Sequence, residues 1–220
     1  MNRSFFGTGI SILSFVVALA GCGGGGGGGT STVSVQTLSD VGADGDIGFT
    51  APPPVGGTFS FSRAGVAGSV LFGIDSADPD PPEFRAFLDF PLDGSNGGGV
   101  LPLGVRIVSA DIEVFVNRVS FAATVPALLD LVPFAIPLVA ADFDSPPLTP
   151  TSFRTLNFFS TDQGNFVRID VTSLLEEAQR QGLRNFQVRF QLDTSATAGL
   201  VEIADAGATR APLLTVEFVP

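Results

Sequence analysis

Phe186-Gln187-Val188-Arg189-Phe190-Gln191-Leu192 alternates without a break between apolar and polar side chains. Successive side chains of a strand point to opposite faces. The stretch therefore predicts Phe186, Val188, Phe190 and Leu192 in a core and Gln187, Arg189 and Gln191 outside it. The same period of two recurs elsewhere. Ala110, Ile112, Val114 and Val116 alternate with Ser109, Asp111, Glu113 and Phe115, and Leu214, Val216 and Phe218 repeat the pattern near the C-terminus. Further strands are predicted at 58–63, 69–74, 84–90, 134–140, 166–171 and 200–204. Gly, Pro, Asp and Asn separate them, as in an all-β sandwich or barrel. Against this background there is one helical signal. Ser173-Leu174-Leu175-Glu176 fits a capping box and Gly182 a stop, which predicts a short helix over 173–181 plugging one end of the sandwich.

With 220 residues, 45% of them hydrophobic, the chain can bury a substantial core. Its single cysteine, Cys22, allows no intramolecular disulfide, so packing must hold the fold. The missing residue types narrow the function. There is no His, Trp or Tyr, and all eleven basic residues are arginine. That excludes an ordinary Ser-His-Asp triad, a Schiff-base lysine and a His-ligated zinc, and it leaves carboxylates as the available acid and base groups. The expectation is a protein that is not an enzyme, with a carboxylate-only glycosidase as a distant alternative. A net charge of −11 argues against nucleic acid as a partner and against unbridged contact with polyanions.

Residues 1–21 read as an address. Arg3 precedes an apolar run over 10–20, interrupted by Ser11 and Ser14, which is the charged and apolar pattern of a secretory signal and is short for a membrane span. The run ends in Leu19-Ala20-Gly21-Cys22, which resembles the bacterial lipobox; that resemblance implies cleavage before Cys22 and acylation of its sulfur. An ordinary signal peptide with an incidental cysteine is the other reading. Cleavage would remove Arg3 and leave 10 basic against 22 acidic residues, a charge of −12. Gly23 to Gly29 and the Thr/Ser residues after them make 22–33 a flexible tether, with a reach of roughly 20 Å for about twelve residues. Gly23 directly after the cysteine is the pattern associated with the outer membrane in some Gram-negative bacteria. The remaining 34–220 is the β-sandwich domain.

Three blocks carry a family resemblance. The first is Arg85-Ala86-Phe87-Leu88-Asp89-Phe90-Pro91-Leu92, followed by Leu103 to Ile112. The second is Ile169-Asp170-Val171-Thr172-Ser173-Leu174-Leu175, and the third runs from Arg210-Ala211-Pro212 to Phe218. Together, over 46–219, they resemble the DNRLRE-type jelly-roll domains of exported bacterial proteins. The string that names the family is absent, and Phe218 stands where a tyrosine is usual. The resemblance implies a jelly-roll sandwich and, as in related carbohydrate-binding modules, a glycan or surface polymer as ligand.

Candidate contact residues follow from phase and charge. Phe87 and Phe115 fall out of step with the core positions of their strands; they form either an aromatic platform or packing beneath a loop. Gln187, Arg189 and Gln191, with Arg168 on another strand, form either a face that reads hydroxyls and uronates or an ordinary solvated sheet face. Asp75, Asp78, Asp80 and Glu83 lie within nine positions among prolines and suit calcium through hard oxygen ligands, while Asp-Pro turns account for much of the same pattern. Asp40, Asp44, Asp46, Asp142 and Asp144 read as solvated turn residues. Two function classes remain open: a non-catalytic, lipid-anchored module that binds glycan or surface polymer, and a structural envelope lipoprotein that contacts other proteins.

Overall fold

Alternating sequence becomes paired strand along most of the chain. The computed structural model describes residues 31–51, 56–148, 153–193 and 198–220, and the predicted leader, most of the tether and Cys22 lie outside them. The described strands are β1 (Val33–Leu38), β2 (Gly45–Thr50), β3 (Thr58–Arg63), β4 (Ser69–Ile74), β5 (Glu83–Pro91) and β6 (Arg106–Ser120). They continue with β7 (Thr124–Leu131), β8 (Phe153–Phe159), β9 (Phe166–Asp170), β10 (Asn185–Leu192), β11 (Gly199–Ala204) and β12 (Leu213–Val219). Two helices accompany them, α1 (Ala64–Ala67) and α2 (Thr172–Arg180). The fold is an all-β, jelly-roll-like sandwich in which the described ladders are antiparallel.

One layer runs β1-β12-β6-β9 and the other β8-β7-β10-β5-β2-β3. The long strand β6 serves both. Its first part pairs with β12 and β9, whereas Val116 to Ser120 pair with β11, which pairs β4 and so reaches β5. A curled sheet of this kind closes around its own apolar face. Ile112, Val114 and Val116 of β6 and Leu214 and Val216 of β12 meet Phe186, Val188 and Phe190 of β10, with Leu88, Phe90, Leu129 and Leu131 beside them. Phe72, Phe158 and Phe190 interlock within this core, their ring centroids 5.3, 5.5 and 6.3 Å apart. Each such fully buried side chain contributes about 1.5–3 kcal/mol of transfer free energy.

The helix signal at Ser173 is right in place and wrong in mechanism. Helix α2 starts one residue earlier, and its N-cap Val171 has no capping side chain. Instead Asp170 Oδ1 accepts a hydrogen bond from Thr172 N at 2.9 Å, and Thr172 Oγ1 accepts one from Ala110 N at 3.0 Å, stitching the helix start to β6. Gly182 does end the helix. At φ +69° it lets its own N–H reach Gln179 O and that of Leu183 reach Ala178 O, which makes a Schellman closure. The single-turn helix α1 had no periodic signal.

The strand predicted at 134–140 does not form. Pro133 and Pro137 lack the N–H groups a ladder needs, and the segment crosses the outside of the sheet, ending in a 3₁₀ turn at Ala140–Asp142. Its apparent alternation has another cause: Phe134 and Leu138 peg it to a second, smaller core with Ile47, Phe87 and Phe143. Strands β1, β2, β7 and β8 were not predicted; Pro126 inside β7 and the Gly-rich sequence of β2 obscure the pattern there.

Candidate functional site

Because each layer has an outward face, the six predicted contact residues separate according to layer. Phe87 lies on β5, and Gln187, Arg189 and Gln191 on β10, turned away from the main core. None of the four forms an open surface. Residues 132–148 cross over them as a strap: Phe87 packs beneath it, the second of its two readings, while Arg189 is buried rather than on a solvated face and Gln187 and Gln191 are half-buried. Phe87 is fully buried against Phe134 at 5.3 Å between centroids, and Arg189 is 3% exposed.

The strap explains the polar residues of that heptapeptide. Arg189 Nη2 donates to Asp130 Oδ2 at 2.8 Å, while Nη1 donates to Phe143 O at 2.8 Å and Ser145 O at 3.0 Å. Gln191 Nε2 adds a bond to the same Asp130 oxygen at 2.6 Å, and Gln187 Oε1 accepts from Phe134 N at 3.3 Å. From the other side Arg85 donates to Phe143 O and lies 3.8 Å from its ring centroid. Asp142 is buried and not solvated as expected; its carboxylate accepts the N–H groups of Ala135 and Val139, holding the strap's own turn. A strap without ladder pairing needs such carbonyl and amide partners, because a buried peptide group left unpaired is costly.

The other two predicted residues, Phe115 and Arg168, come together on the other layer, which no strap among the described residues crosses. Their strands are adjacent, with Glu113 opposite Arg168 and Phe115 opposite Phe166. Phe115 and Phe166 meet edge to face at 5.0 Å, and the guanidinium of Arg210, from the loop before β12, sits 4.4 Å above the Phe115 ring. Phe166 is 49% exposed. Arg168 pairs with Asp111, and pairing with that carboxylate raises its already high pKa. Beside it Thr215 accepts from Gln36 at 3.2 Å and Glu217 accepts from Ser109 at 3.4 Å. The result is an aromatic pair with cations and hydrogen-bonding groups on one sheet face. Phe166 was legible in the sequence, since it falls out of phase with Val167 and Ile169 as Phe115 does in β6. Arg210 was not, because only the fold brings its loop to the ring.

Asp75, Asp78, Asp80 and Glu83 serve separate local roles. Asp75 caps Ala77 N, Asp78 caps Asp80 N, and Glu83 pairs with Arg85. Among the described residues, no three His, Cys, Asp or Glu side chains converge as metal ligands. The more unusual carboxylates lie elsewhere. Asp44, Asp46 and Asp89 are buried, which corrects the solvated reading of the first two. Burial pushes Asp46 up to about 7, with the Leu71 N–H only partly offsetting it. Burial also raises Asp89, opposed by Asn185, whose amide donates to both of its oxygens at 2.9 and 2.8 Å.

The chain matches no protein-family model and no curated protein.

Proposed function

We propose that this chain is an exported lipoprotein, cut before Cys22, acylated there and held at the cell envelope, with the outer membrane of a Gram-negative bacterium as its site. Its sandwich is a non-catalytic module that holds a glycan or other surface polymer. The observation that carries this reading is the Phe115–Phe166 pair with Arg210 stacked on it and Arg168 beside it, on a face that no strap among the described residues crosses. Aromatic faces pack against the C–H faces of sugar rings, and guanidinium groups donate paired hydrogen bonds to hydroxyls or carboxylates. The resemblance to jelly-roll domains of exported proteins and the Gly-rich tether point the same way. A tethered module gains avidity from the membrane plane even when each contact is weak.

A glycan array probed with the full-length protein in detergent, with and without calcium, tests the proposal. Phe166→Ala and Arg168→Ala are each expected to weaken retention on the cognate polymer about tenfold, equivalent to about 1.4 kcal/mol, with little change in Tm. Cys22→Ser is expected to abolish detergent partitioning. No glycan binding, together with capture of an envelope protein, would favour the second reading, for which exposed Phe153 and Phe159 at the ends of edge strand β8 are the supporting surface.

A further inference from the structure

The loop between β1 and β2 and the residue that follows β11 meet through two carboxyl groups. Asp44 is 1% exposed and Asp205 is fully buried, 161 positions later in the chain. Each is held by one oxygen. Asp44 Oδ1 accepts Asp89 N at 2.6 Å, and Asp205 Oδ1 accepts Ser39 Oγ at 3.4 Å. The second oxygen of each, Oδ2 in both cases, is buried with no partner. The two side chains lie within reach of each other, and each acts electrostatically on the other. Two buried carboxylates side by side would repel, whereas a carboxyl and a carboxylate attract, so one proton held by the pair removes the repulsion that two buried charges would carry.

We propose that Asp44 and Asp205 share a single proton, forming a carboxyl–carboxylate clasp that ties the 39–44 loop to the end of β11 and opens when that proton is lost. The surroundings reinforce the need for it. Asp40 in the same loop repels Asp205, while the carboxyls of Asp89 on β5 and Asp46 on β2 are held by other partners, Asn185 and the Leu71 N–H. Arg63, where β3 runs into α1, lines the neighbouring cavity of about 250 Å³, together with Asp44, Phe61, Pro137 and Leu138. Backbone bonds pin the loop within itself and to its neighbours, so the carboxyl pair adds to an existing set of ties. Asp44 N donates to Asp40 O, Ala64 N donates to Asp44 O, and Ser39 N donates to Pro212 O. Burial and the Asp205 charge both raise Asp44 well above the usual carboxylate range, so the clasp keeps its proton beyond the pH at which an exposed carboxyl loses it and is strained once that proton has gone.

Asn in place of one partner tests this, because its amide supplies the hydrogen bond without a titrating proton. Thermal melts of full-length wild type, Asp205→Asn and Asp44→Asn are compared between pH 5 and pH 9, each also on an Asp46→Asn background to subtract that residue's own titration. The wild type is expected to lose stability across the range, and amide exchange in the 39–44 loop to rise at least tenfold beyond the intrinsic pH effect. Either Asn variant is expected to be flatter with pH and to melt higher than wild type at pH 9. Infrared difference spectra are expected to show a protonated-carboxyl band that Asp205→Asn removes. Equal loss of stability in the variants at every pH, or no pH dependence in wild type on the Asp46→Asn background, would overturn the clasp. So would a wild-type Tm at pH 9 that millimolar calcium or magnesium restores and chelator abolishes, since a cation would then occupy the place of the proton.

Discussion

The two outward faces of this sandwich are built from the same alternation and end in opposite conditions. On β10 and β5 the outward residues Arg189, Gln187 and Phe87 lie beneath the 132–148 strap, while on β6 and β9 Phe166 and Arg168 are exposed and Phe115 is half-buried under Arg210, with no strap among the described residues across them. Each face carries an arginine–aspartate pair. Arg189–Asp130 has side chains 4% and 1% exposed, whereas Arg168–Asp111 has them 67% and 18% exposed. The contrast teaches that an outward strand position becomes structural or available according to what lies over it, and the chemistry of the residue does not decide which. Where a strap covers the sheet, polar groups hold backbone carbonyls. Where no described segment covers it, the same kind of pair stays exposed to solvent.

The largest expected difference between the faces is in stability. Arg189→Ala leaves Asp130 as a buried unpaired charge and frees the carbonyls of Phe143 and Ser145, so it is expected to cost about 3–5 kcal/mol. Arg168→Ala is expected to cost less than about 1 kcal/mol because its pair is exposed and screened. Urea denaturation of the two variants breaks the comparison if the costs are equal.

Next in size is a pH effect. A carboxyl whose folded-state pKa is raised binds its proton more tightly when folded, so its contribution to stability is complete below about pH 4 and is lost as pH rises through the folded value. For Asp46, raised to about 7, that predicts a loss of roughly 4 kcal/mol between pH 4 and pH 8. With melts shifting about 2–4 °C per kcal/mol for a chain of this size, Tm is expected to fall on the order of 10 °C. Asp46→Asn is expected to remove this share. An unchanged slope in that variant would place the titration elsewhere among the buried carboxyls.

The smallest effect is expected at the hairpin joining β6 of the open layer to β7 of the covered one. Phe121 there has φ +65° and is half exposed, a left-handed conformation that favours glycine. Phe121→Gly is expected to change stability by less than about 1 kcal/mol, towards greater stability. A larger loss in chemical denaturation would show that the ring packs against one of the layers.

Much of the framework was legible in the sequence. Period two gave β10, β6 and β12 because one face of each strand is a continuous apolar row, and that row survives any rearrangement of loops. The stop of α2 at Gly182 was legible because left-handed backbone has few alternatives to glycine. The start was not, because Asp170 accepts the Thr172 N–H while Val171 and Thr172 are tied to Ala110 of another strand. The candidate site was half legible. Phase marked Phe115 and Phe87 equally, but local sequence carries no information about a strap 45 to 60 residues away.

The sequence by itself therefore determined the all-β class, the inward rows of the main strands and the acidic charge. All of these depend on composition or on neighbours within a few positions. Tertiary structure alone decided which outward face is covered, that Arg189 is a strap anchor while Arg168 is accessible, that Arg210 reaches Phe115, and that Asp44 and Asp205 meet across 161 positions. The physical reason is that burial and charge pairing are properties of distances in space, which the folded chain sets only after distant segments have closed over one another.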